Sequence, residues 1–295
     1  ISPLPWGNTL RSWDGVSAIV DTENWTITGF FTQFAPVDKF DLNQADAGME
    51  FFGSYLSSTF ALLRDTKFDL YVLGLNRDNA GFGDTRADEE RTTLGGRLYG
   101  AIRNSNIDYD LEAAYQFGDF GRRDIEAFMF SSQFSYTFRE LSLSPSFHVG
   151  LDYAGGDEDE NELGTFNQLF PLGHAYLGFM DTIGRQNIIA VNPGAKFTPR
   201  SNLTVAADMH LFWRASESDG LYNAGGGVVR GANLTDISRG SKFIGTELDF
   251  SLQYSLNRNI SLLAGFSYFV AADFIEESGS SDDVSFLYFQ TQFTF

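Results

Sequence analysis

Thirteen stretches of this chain alternate apolar and polar residues with a period of two, and the connections between them are short and long in turn. In "NIDYDLEAAYQFG", Ile107, Tyr109, Leu111, Ala113, Tyr115 and Phe117 share one face. Asn106, Asp108, Asp110, Glu112, Ala114 and Gln116 share the other. "NLTVAADMHLFWR" and "LSLSPSFHVGLDY" read the same way. Alternation of this kind is the signature of a strand with unlike faces. The segments fall at 11–21, 24–34, 47–61, 67–76, 91–103, 106–118, 124–138, 141–154, 185–198, 202–216, 241–256, 259–274 and 284–295. The tight connections are "DTEN", "LRDTK", "RNSN", "FRE", "PRSN" and "NRN". The longer ones, at 35–46, 77–90, 118–123, 155–184, 217–240 and 275–283, are rich in Asp, Glu, Gly and Ser.

A soluble sandwich has an apolar face turned inward and no reason to gather its short turns at one end. A transmembrane β-barrel has both features: short turns on one side, long loops on the other, and an apolar face toward lipid. The expected fold is therefore all-β, a single antiparallel transmembrane barrel spanning 1–295. Aromatic residues make up 16% of the chain, and Tyr153, Trp213, Tyr254 and Tyr268 near strand ends suit an interfacial girdle. The last segment, "VSFLYFQTQFTF", alternates to its terminal Phe295, as a strand that belongs to the wall must. A closed wall pairs its last strand with its first, because lipid leaves no edge hydrated. Parity of strand number then places residues 1–10 outside the membrane, so strands upstream of Ile1 are expected.

Composition narrows the function. The net charge of −19 disfavours a nucleic-acid partner, which needs a basic face. With no cysteine there is no disulfide framework and no thiolate site. "ISPLPWGNTL" lacks the basic start and apolar centre of a signal peptide. No motif calls for a cofactor or metal; "GGDEDENELG" is acidic without a recognisable calcium-ligand spacing. Ser146, His148 and Asp152 share a face, a spacing expected by chance in a Ser-rich strand, so a hydrolase is the weaker reading and a structural or adhesive barrel another.

Several long motifs in order, "PLPWGNTLRSWDGV", "RTTLGGRLYG", "YDLEAAYQFG", "GTFNQLFPLGHAYLGFMDTIGRQN", "LYNAGGGVVR" and "LNRNISLLAGFSYFVAADFI", resemble the alginate-export family of outer-membrane porins over nearly the whole chain. The resemblance implies a porin-like channel in the bacterial outer membrane, about eighteen strands with about five upstream of this chain, and contact with lipid and lipopolysaccharide. It also implies passage of a hydrophilic, anionic or carbohydrate solute such as a polysaccharide. The arginine-rich constriction of the family's best-known member transfers poorly to a chain with 39 acidic and 20 basic residues.

Most of the negative charge lies in the six longer connections, so the acidity belongs to the outer rim more than to the wall. The expected pore-lining residues are Arg97, Tyr99, Asp110 and Glu112, with Arg97 opposite Glu112 and Tyr99 opposite Asp110. They continue with Lys196, Asp208, His210, Arg214, Glu247 and Asp249. The loop "FNQLFPLGHAYLGFMD" is too apolar to stand in water. It is expected to fold into the pore, with Phe166, Gln168, Phe170, His174 and Tyr176 as constriction residues.

Overall fold

A computed structural model describes residues 2–4, 10–59, 65–82, 85–158, 161–231 and 240–294. Phe295, residues 60 and 61 of the third expected segment, and parts of the connections at 77–90, 155–184 and 217–240 lie outside the described residues. The strands in chain order are β1 (Ser12–Asp21), β2 (Trp25–Ala35), β3 (Met49–Thr59), β4 (Thr66–Phe82), β5 (Thr85–Ala101), β6 (Ile107–Phe120), β7 (Arg123–Thr137) and β8 (Ser146–Ala154). They continue with β9 (Glu162–Leu163), β10 (Ile188–Arg200), β11 (Leu203–Trp213), β12 (Leu221–Tyr222), β13 (Val228–Arg230), β14 (Phe243–Asn257), β15 (Ile260–Ala271) and β16 (Val284–Phe293). A single-turn helix, α1 (Asp273–Ser278), caps β15.

Thirteen of these strands form one antiparallel sheet in the order β1-β2-β3-β4-β5-β6-β7-β8-β10-β11-β14-β15-β16, each beside its predecessor, as the sequence reading expected. Among the described residues β1 pairs only with β2 and β16 only with β15. The sheet is therefore open between β1 and β16 among the described residues, which leaves the outer edge of β1 unpaired there. The two-residue β9 lies parallel to β7, and β12 and β13 form a small hairpin in the outer loops.

Four boundaries differ from the sequence reading. Residues 77–90 are not a loop: β4 and β5 stay paired out to Phe82 and Thr85. Their charges had the look of a connection, but Arg77 pairs with Glu89 and Glu89 with Arg91 across the inner face. The connection at 118–123 is a tight turn, closed by Gly121 at φ 64. Leu141–Ser144 turn instead of extending, with Leu143 at φ 72 and Ser144 at φ 42, and β8 starts after Pro145. Finally, the chain leaves the sheet after Ala271 and forms α1, which packs Phe274 and Ile275 into the interior.

The two faces of the sheet differ as the alternation requires. Val16, Phe31, Leu70, Val72, Leu94, Phe117, Phe134, Val149, Phe250 and Phe289 stand exposed on the outer face, Val16 at 72% and Leu287 at 80%. The inner face carries Phe51, Leu73, Gln116, Asp152, His210 and Glu247, all buried. What buries them is the segment between β8 and β10. Its Phe170 ring packs against Trp13 (5.2 Å), Phe34 (6.0 Å) and Phe51 (5.0 Å) at the β1–β3 side. Ten residues on, Met180 donates its N–H to Glu247 on β14. One short segment touches both ends of the strand order, so the sheet curls around it.

Phe170 packs against three aromatic rings of the wall. Phe170→Ala should cost about 3 kcal/mol of docking, the usual toll of emptying a buried ring site. Hydrogen exchange in 164–172 should quicken while exchange in the wall strands stays unchanged. Unaltered loop protection would show that the aromatic cluster does not hold the segment.

Candidate functional site

Side-chain amides fix the path of the segment at 155–188. Gln116 on β6, fully buried, accepts from the backbone N–H of Asn167 at 2.8 Å and donates back to its carbonyl at 2.8 Å. Arg91 donates to the same Gln116 oxygen and to Glu89. Gln168 receives the N–H of Arg185 at 2.8 Å and donates to the carbonyls of Asn223 and Ala224. Asn187 receives the N–H of Ser216 and donates to the carbonyls of Ser216 and Gly220. Buried backbone groups of a loop need partners, and these amides supply a donor and an acceptor at one point.

Farther out, Asp219 accepts from Thr165 (2.5 Å), the N–H of Asp157 (2.9 Å) and Tyr222 (2.7 Å), joining the two longest loops. Burial pushes the Asp219 carboxyl above its ordinary range, against the hydrogen bonds that favour its charged form. Arg214 lies beside it.

The expected wall residues do gather, with changes of partner. The register sets Arg97 opposite Glu112 and Tyr99 opposite Asp110. The guanidinium of Arg97 nevertheless grips Asp110 diagonally with two hydrogen bonds, its Nε at 2.7 Å, and lies 4.5 Å above the Tyr99 ring. Glu112 instead accepts from the Tyr71 hydroxyl at 2.7 Å. On the other flank Asp208 meets His148 (3.1 Å) and His210 meets Asp249 (3.3 Å), with Asn192 between the two histidines. Lys196 lies on the inner face farther toward the short-turn end.

Arg214 needs correction. It was placed on the inward row of β11, but the strand ends at Trp213 and Arg214 is 1% exposed. It donates to the carbonyls of Glu217, Asp219 and Ser241 and stacks 4.0 Å above Phe274. Burial lowers its pKa, and nearby Glu217 and Asp219 oppose that shift. It anchors outer loops and lines no cavity described below. Glu247 and Asp249 face inward but are covered by the loop. Ser146, His148 and Asp152 each engage a different partner: Thr137, Asp208 and Arg185.

Of the loop residues, Phe166 and Phe170 are buried anchors and Gln168 is the amide clamp. His174 sits 3.5 Å from Asp181, and Tyr176 stays half-exposed under Arg185, 5.1 Å from its guanidinium. Arg185 was missed by the sequence reading. It stood at the expected strand start, where alternation assigns no role, yet it forms a 2.6 Å ion pair with Asp152 of β8.

The interior is divided into chambers. One of about 640 Å³ is lined by Ser2, Thr28, Tyr55, Tyr71 and the 166–177 segment. A second, of about 190 Å³, is lined by Ser131, Gln133, His148, Asn192, Asp208 and His210. Arg97, Glu112, Tyr176 and Arg185 line both, so they mark the narrowing between them. A third of about 250 Å³ lies beyond, against Lys196, Gln253, Gln290 and Gln292.

A family described as alginate export matches residues 1–287 of this sequence. The chain belongs to the alginate export family. OccK11 (OpdR) of Pseudomonas aeruginosa superposes with a TM-score of 0.61 over 97% of this chain and 71% of that one, at 13% identity. The outer membrane channel DcaP of Acinetobacter baumannii is matched over 94% of this chain and 82% of that one, with a TM-score of 0.44 and 10% identity. At such identity the OccK11 likeness speaks to fold alone. Among curated proteins nothing matches the sequence. Family and fold together make this an outer-membrane β-barrel channel of bacteria, its exposed apolar face in contact with membrane lipid.

Asp219 gives the loops a pH dependence. With a carboxyl pKa raised on folding, its contribution is complete below the ordinary carboxylate range and is lost as pH rises through the raised value. Proteolysis of the outer loops should therefore be slower in mild acid than at neutral pH, and Asp219→Asn should flatten that slope. A slope that survives the substitution would assign it to another group.

Proposed function

We propose that the protein is a passive diffusion channel for hydrophilic solutes of anionic or carbohydrate character, and that Arg97, Glu112, Tyr176 and Arg185 form its constriction. The observation that carries this reading is that these four side chains line both the chamber of about 640 Å³ and the adjoining one of about 190 Å³, on either side of the 173–177 turn. In this reading the segment at 155–184 is the constriction loop, and the wall and loop act as one wet passage without catalysis. The family description names an anionic polysaccharide, and the two constriction arginines agree with an anionic solute.

Each arginine is matched by an acid, Arg97 by Asp110 and Arg185 by Asp152. Net selectivity is accordingly weak. Charges at the wall act on a passing ion through water, with screening over roughly 8 Å at physiological salt. The planar guanidinium over Tyr176 offers what a sugar ring or carboxylate can use: a flat face and paired donors.

The full-length protein in a planar bilayer under a salt gradient tests this. Arg97→Ala leaves Asp110 without its partner and should move the reversal potential toward cations while conductance persists. Arg185→Ala should do the same through Asp152 and also raise conductance, since the larger side chain leaves the narrowing. Unchanged reversal potentials in both variants would make the pairs wall structure only. Absence of conductance would favour a structural or adhesive barrel.

A further inference from the structure

The middle chamber and the one beyond it share a single loop side chain, Phe179. Its ring stacks on Tyr288 of β16 with centroids 5.1 Å apart and planes 21° from parallel. The backbone there is tied to β14. The N–H of Met180 donates to Glu247 Oε1 at 3.0 Å and that of Phe179 to Asp249 Oδ2 at 3.3 Å. Gly178, at φ 93, lets the chain come this close: any side chain there would collide with the Glu247 carboxylate.

The two carboxylates that hold Phe179 are unusual. Glu247 and Asp249 are two residues apart on one face, 0% and 1% exposed. Their second oxygens, Glu247 Oε2 and Asp249 Oδ1, are buried without a hydrogen-bond partner among the described residues, as is the hydroxyl of Ser267, opposite Asp249 on β15. The one basic group in ion-pair range of either acid, among the described residues, is His210 at 3.3 Å from Asp249. Other titratable groups around them add negative charge or are already matched. Asp208 sits opposite Asp249 on β11 and is held by His148; Asp181 of the loop is beside His174; Tyr288 lies under Phe179. Arg97 and Arg185 face the middle chamber and Lys196 the far one, the first two in other ion pairs.

We propose that Phe179 is a gate between these two chambers and that the Glu247–Asp249 pair is its latch, closed while the pair carries one negative charge and released when the second carboxylate ionises. The proposal rests on the channel reading. Two backbone N–H groups stabilise one buried charge well. A second charge in the same covered site, with no lysine or arginine to meet it, is strongly disfavoured. Moving the loop away and letting water in relieves that cost.

Single-channel conductance of the full-length protein, measured in potassium chloride from mildly acidic to alkaline pH, tests the gate. The parent should conduct several-fold better at alkaline pH. Glu247→Gln should stay at the low level throughout, because its amide can accept from Met180 and donate to Asp249 in place of the shared proton. Asp249→Asn should do likewise. Phe179→Ala should conduct at the high level at every pH. A flat profile in the parent, a parent-like profile in both amide variants, or parent-like conductance in Phe179→Ala would each overturn the gate. Silence of the parent and of Phe179→Ala at every pH would overturn the channel reading itself.

Discussion

Lipid accepts no backbone hydrogen bonds, so each peptide group of a spanning strand has to find its partner in a neighbouring strand. Everything else in this chain follows from meeting that demand with a sheet that has unlike faces. Strands of ten to seventeen residues, such as β1 and β4, alternate because one face meets hydrocarbon and the other does not. The outer face needs only to be apolar, and it is: Leu94, Phe117, Phe134, Val149 and Phe250 stand exposed on it.

The inner face faces a harder problem. A sheet wide enough to curl around space leaves polar side chains that must be either wet or matched. The segment between β8 and β10 resolves much of this by entering the space with its own backbone. Amide side chains then satisfy that backbone at Asn167, through Gln116, and at Arg185, through Gln168, while Asn187 of the segment receives the N–H of Ser216 in the neighbouring outer loop. Apolar residues of the same segment, Phe166, Phe170, Leu177 and Ile183, fill what would otherwise be an oversized lumen. What remains open is a set of small chambers whose dividing walls are loop side chains. Function is therefore set less by the width of the sheet than by where one loop is tied down.

The sequence made the wall legible because its constraint is local. Alternation and turn length can be read a few residues at a time, and the order and antiparallel pairing of the strands agree with that reading. It failed where a local pattern was ambiguous. The charged run at 77–90 looked like a connection, since cross-strand pairs such as Arg77 with Glu89 cannot be seen along one strand. "LSLSPSF" alternated through Pro145, after which the strand only begins. The site was legible only in part. The register alone placed Arg97 against Glu112, but choice between Glu112 and Asp110 depended on Tyr71, from another strand. Arg185 and Phe179 could not be found by period at all, because their positions follow from tertiary ties to Asp152, Glu247 and Asp249. Arg214 was misread because a strand face was extended one residue past the strand's end.

The central claim is that the two faces of one strand meet lipid and water in turn. The chain has no cysteine, so single cysteines can be introduced at successive positions from 109 to 117 on β6 without background. In membranes, labels at 109, 111, 113, 115 and 117 should be quenched by a lipid-dissolved quencher and be slow to react with an aqueous thiol reagent. Those at 110 and 112 should show the reverse, and 114 and 116 should be shielded from both by the loop. Equal aqueous reactivity at odd and even positions would contradict the account.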